Sequence, residues 1–262
     1  MQRASIPTKA QLKRWAKLTA AKHRQQEGLF LAEGGKVVDE LLRSGRPLDA
    51  LLVLRERTER WEALLARTPA GAGVYQLSAR EWSGLSQDKA PEGVMAVAVA
   101  PAPVDPEGLV EGQGPLLLLD QVNNPNNLGA LLRTADWFGF RTVLIGAGSV
   151  EAAHPKVVRT SMGSLFHLTL IEGVDLGSLL PVLRDRFRVI GSDAGEGIHP
   201  HPCPAGTALL LGSESHGLSD ELLAMTHERW RIPGGGNAES LSLPQAAAVM
   251  MYECVKPLVG GR

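Results

Sequence analysis

Residues Leu116–Phe140, LLLLDQVNNPNNLGALLRTADWFGF, constrain the fold of this chain more than any other stretch. Four consecutive leucines predict a strand covered on both faces, because a short unbroken apolar run suits a buried parallel strand. Asp120 and an asparagine-rich loop follow. A helix pattern comes next, with Leu128, Leu131, Leu132 and Ala135 as its apolar stripe and Asn127 expected at its N-cap. A strand that hands a polar loop to a helix start is how open α/β sheets build ligand sites. Free amides and the positive dipole end at such a start suit an anion, with Arg133 on the same helix.

The chain of 262 residues carries a net charge of −1, so no global field draws it to nucleic acid. The charge is nevertheless uneven. Residues 1–26 hold seven basic residues (Arg3, Lys9, Lys13, Arg14, Lys17, Lys22, Arg24) and no acidic one. Three readings are open from charge alone: a solvated helix face, an RNA-contacting arm, or a mitochondrial presequence. Cys203 and Cys254 lack paired spacing and suit a reducing compartment. With no membrane-length apolar run and no secretory signal, a cytoplasmic protein is expected.

Pro101–Pro115 contains four prolines and three glycines and reads as a linker. It divides the chain into a small α/β domain at 1–100, a linker at 101–114, and a second domain at 115–262. In the first, a basic helix precedes the apolar run Leu29–Ala32, a helix over Gly35–Arg43, and strands at Ala50–Leu54 and Val94–Ala98. In the second, strands are expected at Leu116–Leu119, Arg141–Ile145, Phe187–Ile190, Ala208–Leu211 and Arg229–Ile232, with helices between. That alternation predicts a mostly parallel sheet.

Several chemistries are excluded by their missing residues. Gly146-Ala147-Gly148 follows a strand as a dinucleotide fingerprint does, but the third glycine place is Glu151. No P-loop pattern exists. Ser213-Glu214-Ser215-His216-Gly217 approaches a nucleophile elbow, yet its first glycine place is Ser213 and the downstream chain is too short for a triad. His199-Pro200-His201-Pro202-Cys203 lacks a second ligand pair with zinc spacing, so no metal is expected.

Three glycine-bearing segments remain, each at a strand end: Asn127–Arg133, Leu211–Leu218 and Ile232–Ser242. Glycines there allow a backbone to approach a flat ligand closely. In order and spacing these segments resemble the three motifs of the SpoU (TrmH) family of RNA ribose 2′-O-methyltransferases, within the knotted SPOUT class. N-P-N-N-L-G-A-L-L-R-T-A resembles the first motif, L-G-S-E-S-H-G-L-S the second, and I-P-G-G-G-N-A-E-S-L-S-L-P-Q-A-A-A-V the third. Ser161–Phe166 matches a stretch between the first two. K-H-R-Q-Q-E-G-L-F-L-A-E-G-G-K-V-V resembles the substrate-binding domain that precedes many members, which moves weight away from a presequence.

The resemblance implies a parallel sheet with helices on both faces and a deep trefoil knot, an exception to the usual absence of knots. It implies S-adenosyl-L-methionine held by Gly212, Ile232 and Leu241, with Leu211 and Ser242 beside them, and a homodimer formed through this domain. It places Asn127, Arg133, Glu214 and Ser240 in catalytic positions. Arginine has a pKa above about 12, so Arg133 is read as a phosphate clamp and hydroxyl orienter rather than a base. Plainer roles stand beside these: Asn127 as a cap, Glu214 as a loop carboxylate, Ser242 as a cap. Lys13, Arg14, Lys17, Lys22 and Arg24 are expected to grip structured RNA, ribosomal RNA ahead of transfer RNA. Two departures from the motif bear on turnover: Ser242 stands where the family has asparagine, and Gly234 where it has methionine. A tRNA ribose methyltransferase and a non-catalytic RNA-binding relative are the alternatives.

Overall fold

The computed structural model describes residues 4–106 and 114–259, so Arg3 and the middle of the expected linker lie outside the described residues. The chain forms two compact units, one of Met1–Ala102 with Ala153–Phe166, the other of Pro103–Ala152 with His167–Arg262. The segment Ala153–Phe166, expected within the second domain, therefore packs with the first unit.

In the first unit, helix α1 (Lys9–Lys17) starts at a capping box in which Thr8 and Gln11 satisfy each other's backbone amides. Helix α2 (Ala21–Glu27) stops at Gly28, whose φ of 61° is the left-handed conformation glycine tolerates. Then follow β1 (Leu29–Glu33), α3 (Gly35–Ser44), β2 (Leu48–Leu54), α4 (Glu62–Leu65), β3 (Gly73–Leu77), α5 (Ala79–Ser83) and β4 (Val94–Val99). The sheet order is β1-β4-β2-β3, with β4 antiparallel to both neighbours and β2 parallel to β3. Trp15, Leu18, Leu31, Leu52, Leu77 and Trp82 share one core against it. The returning segment adds a stack of Phe166 on Phe30 and an ion pair of Arg159 with Asp88 at 2.9 Å.

The basic N-terminal residues divide. Lys13, Arg14, Lys17 and Lys22 are exposed. Arg14 pairs with Glu27 at 2.7 Å, which holds its guanidinium pKa above the usual value. Arg24 corrects the expectation: it is 4% exposed and donates from Nη1 to the Leu18 carbonyl at 2.7 Å. A buried cation closing the α1–α2 turn has no face to offer a phosphate.

The second unit contains β5 (Leu116–Leu119), α6 (Pro125–Phe138), β6 (Thr142–Gly146), β7 (Thr169–Val174), α8 (Leu176–Arg184), β8 (Arg188–Ser192), β9 (Thr207–Leu211), α9 (Asp220–Ala224), β10 (Glu228–Trp230) and α10 (Leu243–Val259); α7 (Pro155–Thr160) belongs to the first unit. The strand order is β10-β8-β9-β5-β6-β7, and every pairing is parallel. Leu116 and Leu118 pack on α8 and α9 side chains such as Leu180 and Leu222. Leu117 and Leu119 alternate to the other face, where α10 packs on both β9 and α6. All four leucines are fully buried, as a two-sided strand requires. Among the described residues, no helix is long and apolar enough to cross a membrane.

Replacing Arg24 with alanine removes the Leu18 carbonyl's donor and leaves a void. We expect a loss of about 2–4 kcal/mol from the first unit, read by urea unfolding.

Candidate active site

Ligands of open α/β sheets sit beyond the carboxyl ends of the strands, and the three motif segments lie there. The α6 start differs in detail from expectation. Asn124, not Asn127, is the N-cap: its Oδ1 accepts from Asn126 N at 2.9 Å, and Pro125 takes the first helical position, where no amide is needed. Asn127 is thereby freed from capping. It lies in the first turn and donates from Nδ2 to Glu214 Oε1 at 2.6 Å, joining segments 87 residues apart.

Glu214 is presented by a loop that closes on itself. The Ser213 amide donates to the Gly217 carbonyl at 3.2 Å and the Gly217 amide to the Ser213 carbonyl at 3.0 Å. Gly217 takes φ 67° to complete the turn. Gly212, just after β9, runs so close to this loop that a Cβ on it would lie 2.2 Å from the Gly217 carbonyl carbon. Glycine is the residue that fits. Below it, Asp120 N donates to Leu211 O at 2.8 Å, extending the β5–β9 ladder to the floor of the site. Asp120 is half-buried, and burial pushes its carboxyl above the usual range.

A cleft of about 490 Å³ opens beside this loop, a size within the ordinary range for small-molecule sites. Gly212–Leu218 form one side, and Ile232, Glu239, Ser240 and Leu241 from the third segment form another. Leu243, Ala246 and Met250 bring the wall of α10. Ser242 stands at the start of that helix, its hydroxyl donating to Gln245 Oε1 at 3.1 Å while its carbonyl accepts from Ala246 N at 3.0 Å. The capping box read from Ser242 and Gln245 is not formed: the two side chains bond each other instead of the helix-start amides.

One wall was missed in the sequence. Ser192 at the end of β8 and Asp193, Ala194 and Gly195 directly after it also line the cleft. Asp193 Oδ1 accepts from Gly195 N at 2.8 Å and Glu196 N at 3.1 Å, and Asp193 N donates to Trp230 O at 2.9 Å. An aspartate-small-glycine turn at a strand's carboxyl end is the signal that marks it.

The arrangement brings Gly212, Glu214, Ile232, Ser240 and Leu241 to one cleft and ties Asn127 to its rim. It does not bring Leu211, which is buried in the sheet, Ser242, or Arg133. Arg133 is exposed on α6, six residues beyond Asn127 and so about 9 Å along the axis. The Arg133 side chain makes no hydrogen bond or ion pair with the described residues. The described residues contain no group of three or more His, Cys, Asp or Glu side chains able to hold a metal. The cleft suits a cofactor with a flat base and a cationic centre: its loops offer backbone amides and carbonyls at a glycine cradle, and Asp193, Glu214 and Glu239 carry negative charge around it.

Comparison with known proteins agrees. Residues 114–252 match the model of the SpoU rRNA Methylase family, and residues 9–96 that of the MRM3-like substrate binding domain. The 23S rRNA (guanosine(2553)-2′-O)-methyltransferase RlmP of Bacillus subtilis is 31% identical over 244 residues, covering 92% of this chain and 94% of that protein. A 23S rRNA (uridine(2479)-2′-O)-methyltransferase of Streptomyces viridochromogenes is 27% identical, covering 97% and 92%. The crystal structure of the SpoU methyltransferase AviRb from Streptomyces viridochromogenes, in complex with AdoMet, superposes with a TM-score of 0.86 at 26% identity, covering 97% of this chain and 100% of that one. By the matched span and the identity to a relative over nearly the whole chain, the chain belongs to the SpoU rRNA methylase family.

Proposed function

We propose that this protein transfers the methyl group of S-adenosyl-L-methionine to a ribose 2′-hydroxyl in structured RNA, with large-subunit ribosomal RNA as substrate. The observation that carries this reading is the Asn127–Glu214 hydrogen bond, which fixes the helix expected to face RNA against the rim of the cofactor cleft. S-adenosyl-L-methionine, when bound, supplies a methyl group made electrophilic by its sulfonium.

The chain's own residues do the rest. The backbone around Gly212, Ile232 and Leu241 holds the cofactor, and the acidic rim favours its positive charge. Asn127, kept in place by Glu214, and Ser240 orient the ribose. Placement of the hydroxyl in line with the methyl accounts for most of the rate gain, because orientation alone is worth orders of magnitude. Arg133 clamps the neighbouring phosphate with its two-pronged guanidinium and directs the hydroxyl. Its exposure outside the cleft fits an arginine that acts across a homodimer.

An apolar face on α6 and α10 supports such a dimer. Trp137 is 81% exposed, Tyr252 43% and Val249 38%, with the Phe138 and Tyr252 rings 6.1 Å apart. Large apolar side chains gathered on one face mark association surfaces. The chain leaves edge strand β10, passes the glycine loop and packs α10 on α6 and β9 across the sheet, a course that fits a trefoil knot. Residues 1–100 act as the substrate-binding domain and 115–262 as the methyltransferase domain. The ribosomal preference rests on the rRNA methylase family match over residues 114–252 and on the two relatives named as acting on 23S rRNA. One acts on guanosine and the other on uridine, so the family match leaves the base open. A ribosomal substrate and unpaired cysteines fit a cytoplasmic setting.

Three variants test the reading. Arg133→Ala lowers methylation of ribosomal RNA about 10²- to 10⁴-fold while the Kd for S-adenosyl-L-methionine, read by calorimetry, moves by less than about threefold. Retained activity removes Arg133 from the mechanism. Gly212→Ala forces the Ser213–Gly217 loop outward, so cofactor affinity falls more than about tenfold with unchanged circular dichroism. Joint replacement of Lys13, Lys17 and Lys22 by alanine weakens RNA binding and reduces its salt slope by about 2 to 3, whereas an unchanged slope places the RNA elsewhere.

A further inference from the structure

The whole sequence holds two cysteines, and the fold places them side by side. Cys203 is half-buried in the loop between β8 and β9, and Cys254 is 2% exposed on α10. Both are free thiols. The Cys203 amide donates to the Cys254 carbonyl at 2.9 Å, and the two thiols are within hydrogen-bonding reach of each other. That direct amide–carbonyl bond sets the two cysteine backbones side by side, as a disulfide between them requires.

The two thiols are unequal. A hydrogen bond from Cys254 holds the Cys203 thiol below its ordinary range, with help from the Thr207 hydroxyl and the His201 ring, against the opposing effect of burial. The same hydrogen bond and burial push Cys254 up, so it stays protonated. His201 Nδ1 faces the Pro202 carbonyl at 3.0 Å and Nε2 faces Glu228 Oε1 at 2.5 Å. These two acceptors, the Pro202 carbonyl first, favour the protonated ring and raise the His201 pKa.

We propose that Cys203 and Cys254 form a redox site, a dithiol that a hydroperoxide converts reversibly to a disulfide. In the first step the Cys203 thiolate attacks the peroxide; the S–O bond forms, the O–O bond breaks, and hydroxide leaves to take a proton as water. The Cys254 sulfur then displaces the hydroxyl of the Cys203 sulfenic acid, its own proton leaving with that hydroxyl as a second water. Sulfur is oxidised by two electrons in all, and the peroxide is reduced by two. The bond ties two walls of the cleft from behind. Met250, one turn before Cys254, lines one wall, and Gly195, which leads into the Cys203 loop, lines the other.

The test treats the full chain with hydrogen peroxide and maps peptides without reductant. A Cys203–Cys254 linked peptide, two hydrogens lighter than the sum of its parts and released by dithiothreitol, is expected. In parallel, phenylarsine oxide, which needs two adjacent thiols, binds the untreated protein one to one and fails to bind Cys203→Ser and the peroxide-treated wild type. Peroxide that leaves Cys203 as sulfinic acid beside an unchanged Cys254 thiol overturns the proposal. So does a native wild-type protein that does not take up the arsenical; neither result depends on a variant folding.

Discussion

The site depends on one close approach of backbone to backbone. At position 212 a Cβ would meet the Gly217 carbonyl carbon at 2.2 Å, so the chain leaving β9 turns tightly only because that residue is glycine. The turn is closed by two reciprocal amide–carbonyl bonds between Ser213 and Gly217. A loop held this way loses little entropy when a ligand arrives, because its backbone is already fixed. From it follow the cleft beside the loop and the direction in which Glu214 points.

The second dependence is the bond from Asn127 to Glu214. Asn127 is half-buried and Glu214 exposed, and a solvent-accessible hydrogen bond to a carboxylate contributes modestly to stability. Its value lies in position. It sets the α6 start, where RNA is proposed to bind, against a cleft built from chain 65 residues or more further on. Capping by Asn124 makes this possible, since it satisfies the helix start and leaves the Asn127 amide group to reach across.

The parts of the structure that depend on local pattern were legible in the sequence. The leucine strand and the alternation of strands and helices follow from runs and breakers that need no tertiary information. Two strands escaped for a physical reason. Strand β7 is an edge strand with only Ile171 and Val174 buried, and β3 alternates weakly, so neither carries a core-strand pattern. The cap was misplaced because four asparagines flank Pro125; the preference of proline for the first helical position points to Asn124. Arg24 was grouped by charge with its exposed neighbours, and its burial follows from a carbonyl that only the folded α1–α2 turn supplies. The Ser192–Gly195 wall lacks the glycine density of the other segments, and its neighbourhood is created by the parallel pairing of β8 with β9 and β10.

The central claim is that the cleft and the α6 start together direct a methyl group to a ribose oxygen. The most direct measurement supplies purified protein with radiolabelled S-adenosyl-L-methionine and unmodified ribosomal RNA, then digests the RNA in alkali. A methylated 2′-oxygen cannot attack its own phosphate, so the account predicts label in alkali-resistant dinucleotides at one position of the large-subunit RNA. Label released as mononucleotides would mean base methylation, and RNA that takes up no label would mean a binding protein without turnover; either result would contradict the account.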